Sequence, residues 1–132
     1  MKQSSQIPHA VHTDLAPRPR GHYSQAIVHG GLVYCSGQLP LDPRTGELAG
    51  EIFGVQVQTV LNNLAAVLAA SGSNLQCTLR TTVFLADIRQ WDEFDAIYAR
   101  TFGTHRPART VVPAGPLHGG ALIEMDAVAA VL

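Results

Sequence analysis

Two carboxylates and one arginine near the end of the chain carry its most specific chemical signal. Glu124 and Asp126 interrupt the run from Ala121 to Leu132, the most apolar stretch of the sequence. Side chains of an extended strand leave alternately on opposite faces. Both carboxylates should therefore share one face while Ile123, Met125, Ala127 and Ala129 pack on the other. A carboxylate in such a setting is costly unless it is paired or has a chemical task. Arg109, in the short β-like run Pro107–Val112, is the candidate partner or co-worker. Two outcomes are open. One is a buried ion pair. The other is an arginine fork gripping a substrate carboxylate while Glu124 works on a water molecule. The second is the minimum equipment for hydrating a small carboxylated electrophile.

Other chemistries find less support. Of six histidines only His9 and His12 are close, without carboxylates or thiols at metal-ligand spacing, so no metal site is expected. Neither a phosphate-cradling glycine loop nor Gly-x-Gly-x-x-Gly occurs, so no nucleotide cofactor is expected. Ser24 and Ser36 stand in no nucleophile elbow, and Cys35 and Cys77 form no Cys-x-x-Cys pair. They read as two reduced, buried thiols of a cytoplasmic protein. A net charge of −1 leaves no electrostatic footprint for nucleic acid. No continuous run of about 18 apolar residues spans a membrane, and the N-terminus lacks the apolar core of a secretory signal.

The elements that must position Arg109 and Glu124 follow from local patterning. Residues 1–8 should be a flexible N-terminus, with a single domain over 9–132. His9–Thr13 is β-like, and Pro17-Arg18-Pro19-Arg20-Gly21 is an extended connector, since prolines exclude helix and central strand. Ala26–His29 and Leu32–Ser36 flank Gly30-Gly31 as a tight hairpin. Val57, Val60, Leu61, Leu64, Val67 and Leu68 mark a long helix, with Gln58, Asn62 and Asn63 outward, Glu51 at its N-terminal end and Ser71–Asn74 as its stop. Leu79–Ala86 should be a central strand. Trp91, Phe94, Ile97, Tyr98 and Phe102 mark a second helix ending at Gly103, and Pro113–Gly120 is a glycine-rich loop before the last strand. The order predicts an α+β fold, one sheet with two helices on one face. With 46% hydrophobic and only 14% charged residues, the uncovered face should pack against another subunit.

Five segments in order add a resemblance: Gly21-His22-Tyr23-Ser24-Gln25-Ala26, Ser36-Gly37-Gln38-Leu39-Pro40, Thr81–Leu85, Pro107-Ala108-Arg109-Thr110 and Ile123–Val128. Together they resemble the RidA (YjgF/UK114) family of reactive-intermediate deaminases, from about Ala10 to the C-terminus. The resemblance implies a chorismate-mutase-like domain with a mixed sheet, a homotrimer with a site at each subunit cleft, and hydrolysis of 2-imino acids and their enamines, such as 2-aminoacrylate, to 2-keto acids and ammonia without a cofactor. It implies that Arg109 grips the substrate carboxylate, that Glu124 orients the attacking water, and that Tyr23 and the Gly37 backbone line the site. Val111 stands where many members carry cysteine; it preserves a main-chain N–H to the carboxylate but not a thiol. His22 replaces the usual proline, Asp95 stands where many members have asparagine, and the Pro113–Gly120 loop is unlike the usual linker. The alternatives are an enamine deaminase for a longer, aminomuconate-like substrate, and a non-catalytic trimer that binds small carboxylates or 2-keto acids.

Overall fold

The hydrophobic pattern resolves into a six-stranded sheet in a computed structural model that describes residues 7–132. The flexible terminus expected over residues 1–8 falls mostly outside the described residues. The elements are β1 (His9–Val11), β2 (Ala26–His29), β3 (Leu32–Gln38), α1 (Phe53–Ala70), β4 (Thr78–Leu85), α2 (Trp91–Phe102), β5 (Ala108–Pro113) and β6 (Ile123–Ala130). The strands lie in the order β1-β2-β3-β6-β4-β5. All neighbours are antiparallel except β4 and β5, which α2 joins as a parallel crossover pair. The sheet is therefore mixed, as the resemblance implies.

The last strand sits in the middle of the sheet, between β3 and β4, and its alternation is strict. Ile123, Met125, Ala127 and Ala129 are buried, while Glu124 and Asp126 on the other face are half-buried. The buried set joins one core with Val57, Leu61, Leu64 and Leu68 of α1 and with Phe94 and Phe102 of α2. Both helices thus cover one face. The opposite face carries Ile27, Tyr34, Phe84, Val112 and Val128 among Arg80, Thr82, Glu124 and Asp126, as the strand registers require.

The long helix departs from its expected details in three ways. Glu51 lies before the first turn, which holds no acidic residue. Its start is instead tied down by Gln56, whose amide donates to the Gly50 carbonyl at 2.7 Å and accepts from the Leu122 N–H at 2.9 Å. Asn63, expected on the outer face, is buried and donates to the carbonyls of Leu39 and Leu41 at 3.1 and 2.9 Å. The reason is that a loop crosses this side of the helix, and its carbonyls need donors once water is excluded. Finally, α1 is long and apolar enough by composition to cross a membrane, although half of it is buried against the sheet.

Candidate active site

Tyr23, Gly37 and Glu124 come from three separate segments and line one cleft of about 410 Å³. The connector that carries Tyr23 is pinned by Gln25, a buried side chain. Its amide oxygen accepts from the Thr13 N–H at 2.7 Å, and its nitrogen donates to the carbonyls of Thr13 and Pro17, each at 3.0 Å. The Ser36 hydroxyl donates to the Ser24 carbonyl at 2.6 Å, which fastens the same connector to β3. These bonds leave the Tyr23 ring half exposed at the cleft, not packed in the core.

Gly37 lies where the β3–β6 register shifts between Cys35 and Gln38. Its φ is not positive, so no turn geometry demands glycine here. Close approach does. A Cβ at this position would collide with the Glu124 carboxylate. Gly37→Ala should therefore fold normally and displace that carboxylate, and a shift of about 1 Å in a reacting group costs roughly 10²-fold in rate. The rate should be read beside a circular-dichroism melt, and full activity in the variant would deny the carboxylate its function at this spot.

The Glu124 carboxylate makes no hydrogen bond with another described residue. Burial pushes its pKa above the ordinary glutamate value, the neighbouring Asp126 charge adds to the rise, and His118 opposes it. His118 lines the cleft from the turn His118–Gly120; no spacing in the sequence marks it. A carboxylate with a raised pKa and no partner is suited to accept a proton. Cys35, close by on β3, is unsuited to nucleophilic work, because burial and then Asp126 raise its pKa to about 12. Cys77, expected to be buried, is only partly so. Among the described residues no three His, Cys, Asp or Glu side chains are grouped to hold a metal ion.

Arg109 does not line this cleft, and of the two outcomes open in the sequence the ion pair with Glu124 does not form within one chain. In the register Arg109 and Ala127 both flank Thr81, whereas Glu124 flanks Phe84. The two charged groups therefore leave opposite faces of the sheet. Arg109 donates from Nη1 to Asp95 of α2 at 2.7 Å. Its guanidinium lies 5.3, 5.4 and 4.8 Å from the ring centres of Trp91, Phe94 and Tyr98. Val111, opposite Val83, is half-buried on the same side. Both stand on β5, an edge strand whose only sheet neighbour among the described residues is β4. Asp95, noted in the sequence only as a replacement for asparagine, is thus the arginine's partner. His22 is exposed and makes no hydrogen bond with another described residue.

Comparison with known proteins bears on this arrangement. The family model described as Endoribonuclease L-PSP matches residues 13–131. A RutC family protein of Pyrococcus horikoshii is 39% identical over 119 residues, 90% of this chain and 94% of that protein. The crystal structure of RidA from an Antarctic Psychrobacter superposes with a TM-score of 0.90 at 32% identity, covering 93% of this chain and 99% of that one. That of E. coli TdcF with bound serine gives 0.87 at 29% identity, covering 92% and 98%.

Proposed function

Because the chain belongs to the endoribonuclease L-PSP family, which includes the Rid proteins, we propose that it hydrolyses 2-imino acids and their enamine tautomers, of the 2-iminopropanoate and 2-iminobutanoate type, to 2-keto acids and ammonia. The observation that carries this reading is Glu124, seated against Gly37 with a raised pKa and no partner. Arg109 completes the site from an adjacent copy in a homotrimer, where the edge strand β5 of one chain meets the cleft of the next. Its placement on the opposite face of its own chain, at the sheet edge, supports that assembly. The serine bound in the TdcF structure carries the carboxylate that such an arginine would grip.

In this reading Arg109 and the Val111 main-chain N–H hold the substrate carboxylate, with charge-assisted bonds worth roughly 1.5–3 kcal/mol each. Tyr23 and the Gly37 backbone shape the opposite wall. Glu124 takes a proton from water as its oxygen adds to the C=N carbon. The nitrogen is protonated, the carbinolamine C–N bond breaks, and ammonia leaves a 2-keto acid. Water and a carboxylate suffice, so no cofactor is required. A small carboxylate fits the charge balance better than RNA does, since 9 Lys and Arg stand against 10 Asp and Glu.

The test is ammonia release from 2-iminopropanoate and 2-iminobutanoate, with Arg109→Ala as control. The wild type should accelerate release over buffer, and the variant should lose it while remaining folded. Full rate in Arg109→Ala would remove the arginine from the mechanism. Tight 2-keto-acid binding without acceleration would favour a binding protein instead. Activity should also fall on acidification as Glu124 takes its proton, at a pH above the usual glutamate range. Asp126→Asn, which removes the repelling charge, should move that acidic limb to lower pH; an unmoved limb would assign the titration to another group.

A further inference from the structure

Arg18 and Arg20, in the connector before β2, line the same cleft as Glu124 and Tyr23. With Pro17 they also line an adjoining cavity of about 510 Å³, which Arg44 and Asp14 border. Pro17 and Pro19 restrict the backbone on either side of Arg18 to extended forms. The Arg20 guanidinium donates to the Gly46 carbonyl, and its main-chain N–H donates to the Tyr23 hydroxyl at 3.4 Å. Arg18 makes no hydrogen bond with another described residue.

Missing counter-charges together with their place in the Glu124 cleft set this pair apart. Arg44, Arg89 and Arg109 each have a carboxylate within 4.0 Å: Asp42, Asp87 and Asp95. Among the described residues Arg18, Arg20, Arg80, Arg100 and Arg106 have none, and of these only Arg18 and Arg20 line the cleft that holds Glu124. Guanidinium forks without a carboxylate partner at the wall of a cleft are receptors for an anionic oxygen pair. The mechanism already gives the α-carboxylate of the substrate to Arg109. A methyl or ethyl side chain, as in iminopropanoate or iminobutanoate, offers these two arginines nothing to bind.

We propose that the preferred substrate is an imino or enamine acid with a second, distal carboxylate, and that Arg18 and Arg20 select it. This rests on the deamination reading of the same cleft and names its substrate class. Both arginines are exposed, so solvent weakens their hold. A preference of about tenfold, the lower end for a charge-assisted bond, is the appropriate scale.

The experiment measures kcat/KM for ammonia release from 2-iminopropanoate and from 2-iminoglutarate, each generated in situ from its amino acid by an oxidase. Wild type, Arg18→Gln and Arg18→Gln/Arg20→Gln are compared. The wild type should favour the dicarboxylic imine by about tenfold or more, and the double variant should erase that ratio through KM. Arg18→Gln, which breaks no hydrogen bond or ion pair among the described residues, should lower the ratio part of the way and guards against a folding defect in the double variant. Added salt should raise KM for the dicarboxylic imine more than for the other. A wild-type ratio at or below one, or a ratio unchanged in both variants, overturns the proposal while leaving deamination in place. No acceleration with either imine overturns both.

Discussion

Glu124→Gln is expected to lower kcat for imine hydrolysis by about 10²–10⁴-fold, the range of a positioned acid–base group, with little change in KM. Glutamine keeps the volume and the position over Gly37, so cleft shape and the proposed carboxylate grip of Arg109 should survive. What it loses is a basic oxygen that can take a proton from water. The burial and the Asp126 charge that raise the Glu124 pKa bring its basicity closer to neutral pH, so this particular carboxylate has more to lose than an exposed one. Steady-state ammonia release checks both constants. A wild-type kcat in the variant would move the base elsewhere, with His118 in the same cleft as the next group to replace. A large rise in KM alone would make Glu124 a binding group.

Phe94→Ala is expected to cost about 3–5 kcal/mol of stability, a large part of the roughly 5–15 kcal/mol that holds a domain folded. Phe94 is fully buried, with its ring centre 5.2 Å from that of Tyr98. Removing it leaves a void under the α2–β4–β5 layer. The same ring is one of three that flank the Arg109 guanidinium. The surviving folded protein should therefore bind its carboxylate substrate more weakly as well. Urea denaturation gives the first effect and KM the second. A loss below about 1 kcal/mol would mean that the core closes over the gap, contrary to the usual incomplete relaxation of cores.

Patterns with a short period were legible in the sequence; relations across the sheet were not. The β6 alternation and the α1 stripe are written within single segments, and the two helices on one sheet follow from their order. That Arg109 and Glu124 leave opposite faces depends on where β4 and β6 pair, which no single segment specifies. Thr81 settles it, because its partners are Arg109 on one side and Ala127 on the other. Asn63 misled for a similar reason: helical spacing gives it an outer face, but a loop 22 residues earlier in the chain covers that face. His118 and Asp95 meet their partners only through the fold. Tyr23, Gly37 and Glu124 do share a cleft, and the motifs of the resemblance are what singled out the first two.

The edges of the sheet bear on how a single chain would fare before the proposed trimer forms. β1 is only three residues long, and β5 has Pro107 just before it and Pro113 as its last residue. Short edges and prolines are standard obstacles to one sheet adding onto another. A lone copy therefore offers poor purchase for strand-on-strand growth, while its half-apolar open face remains available for burial. The chain is guarded against fibrous aggregation along its edges without closing the surface on which an orderly assembly can form.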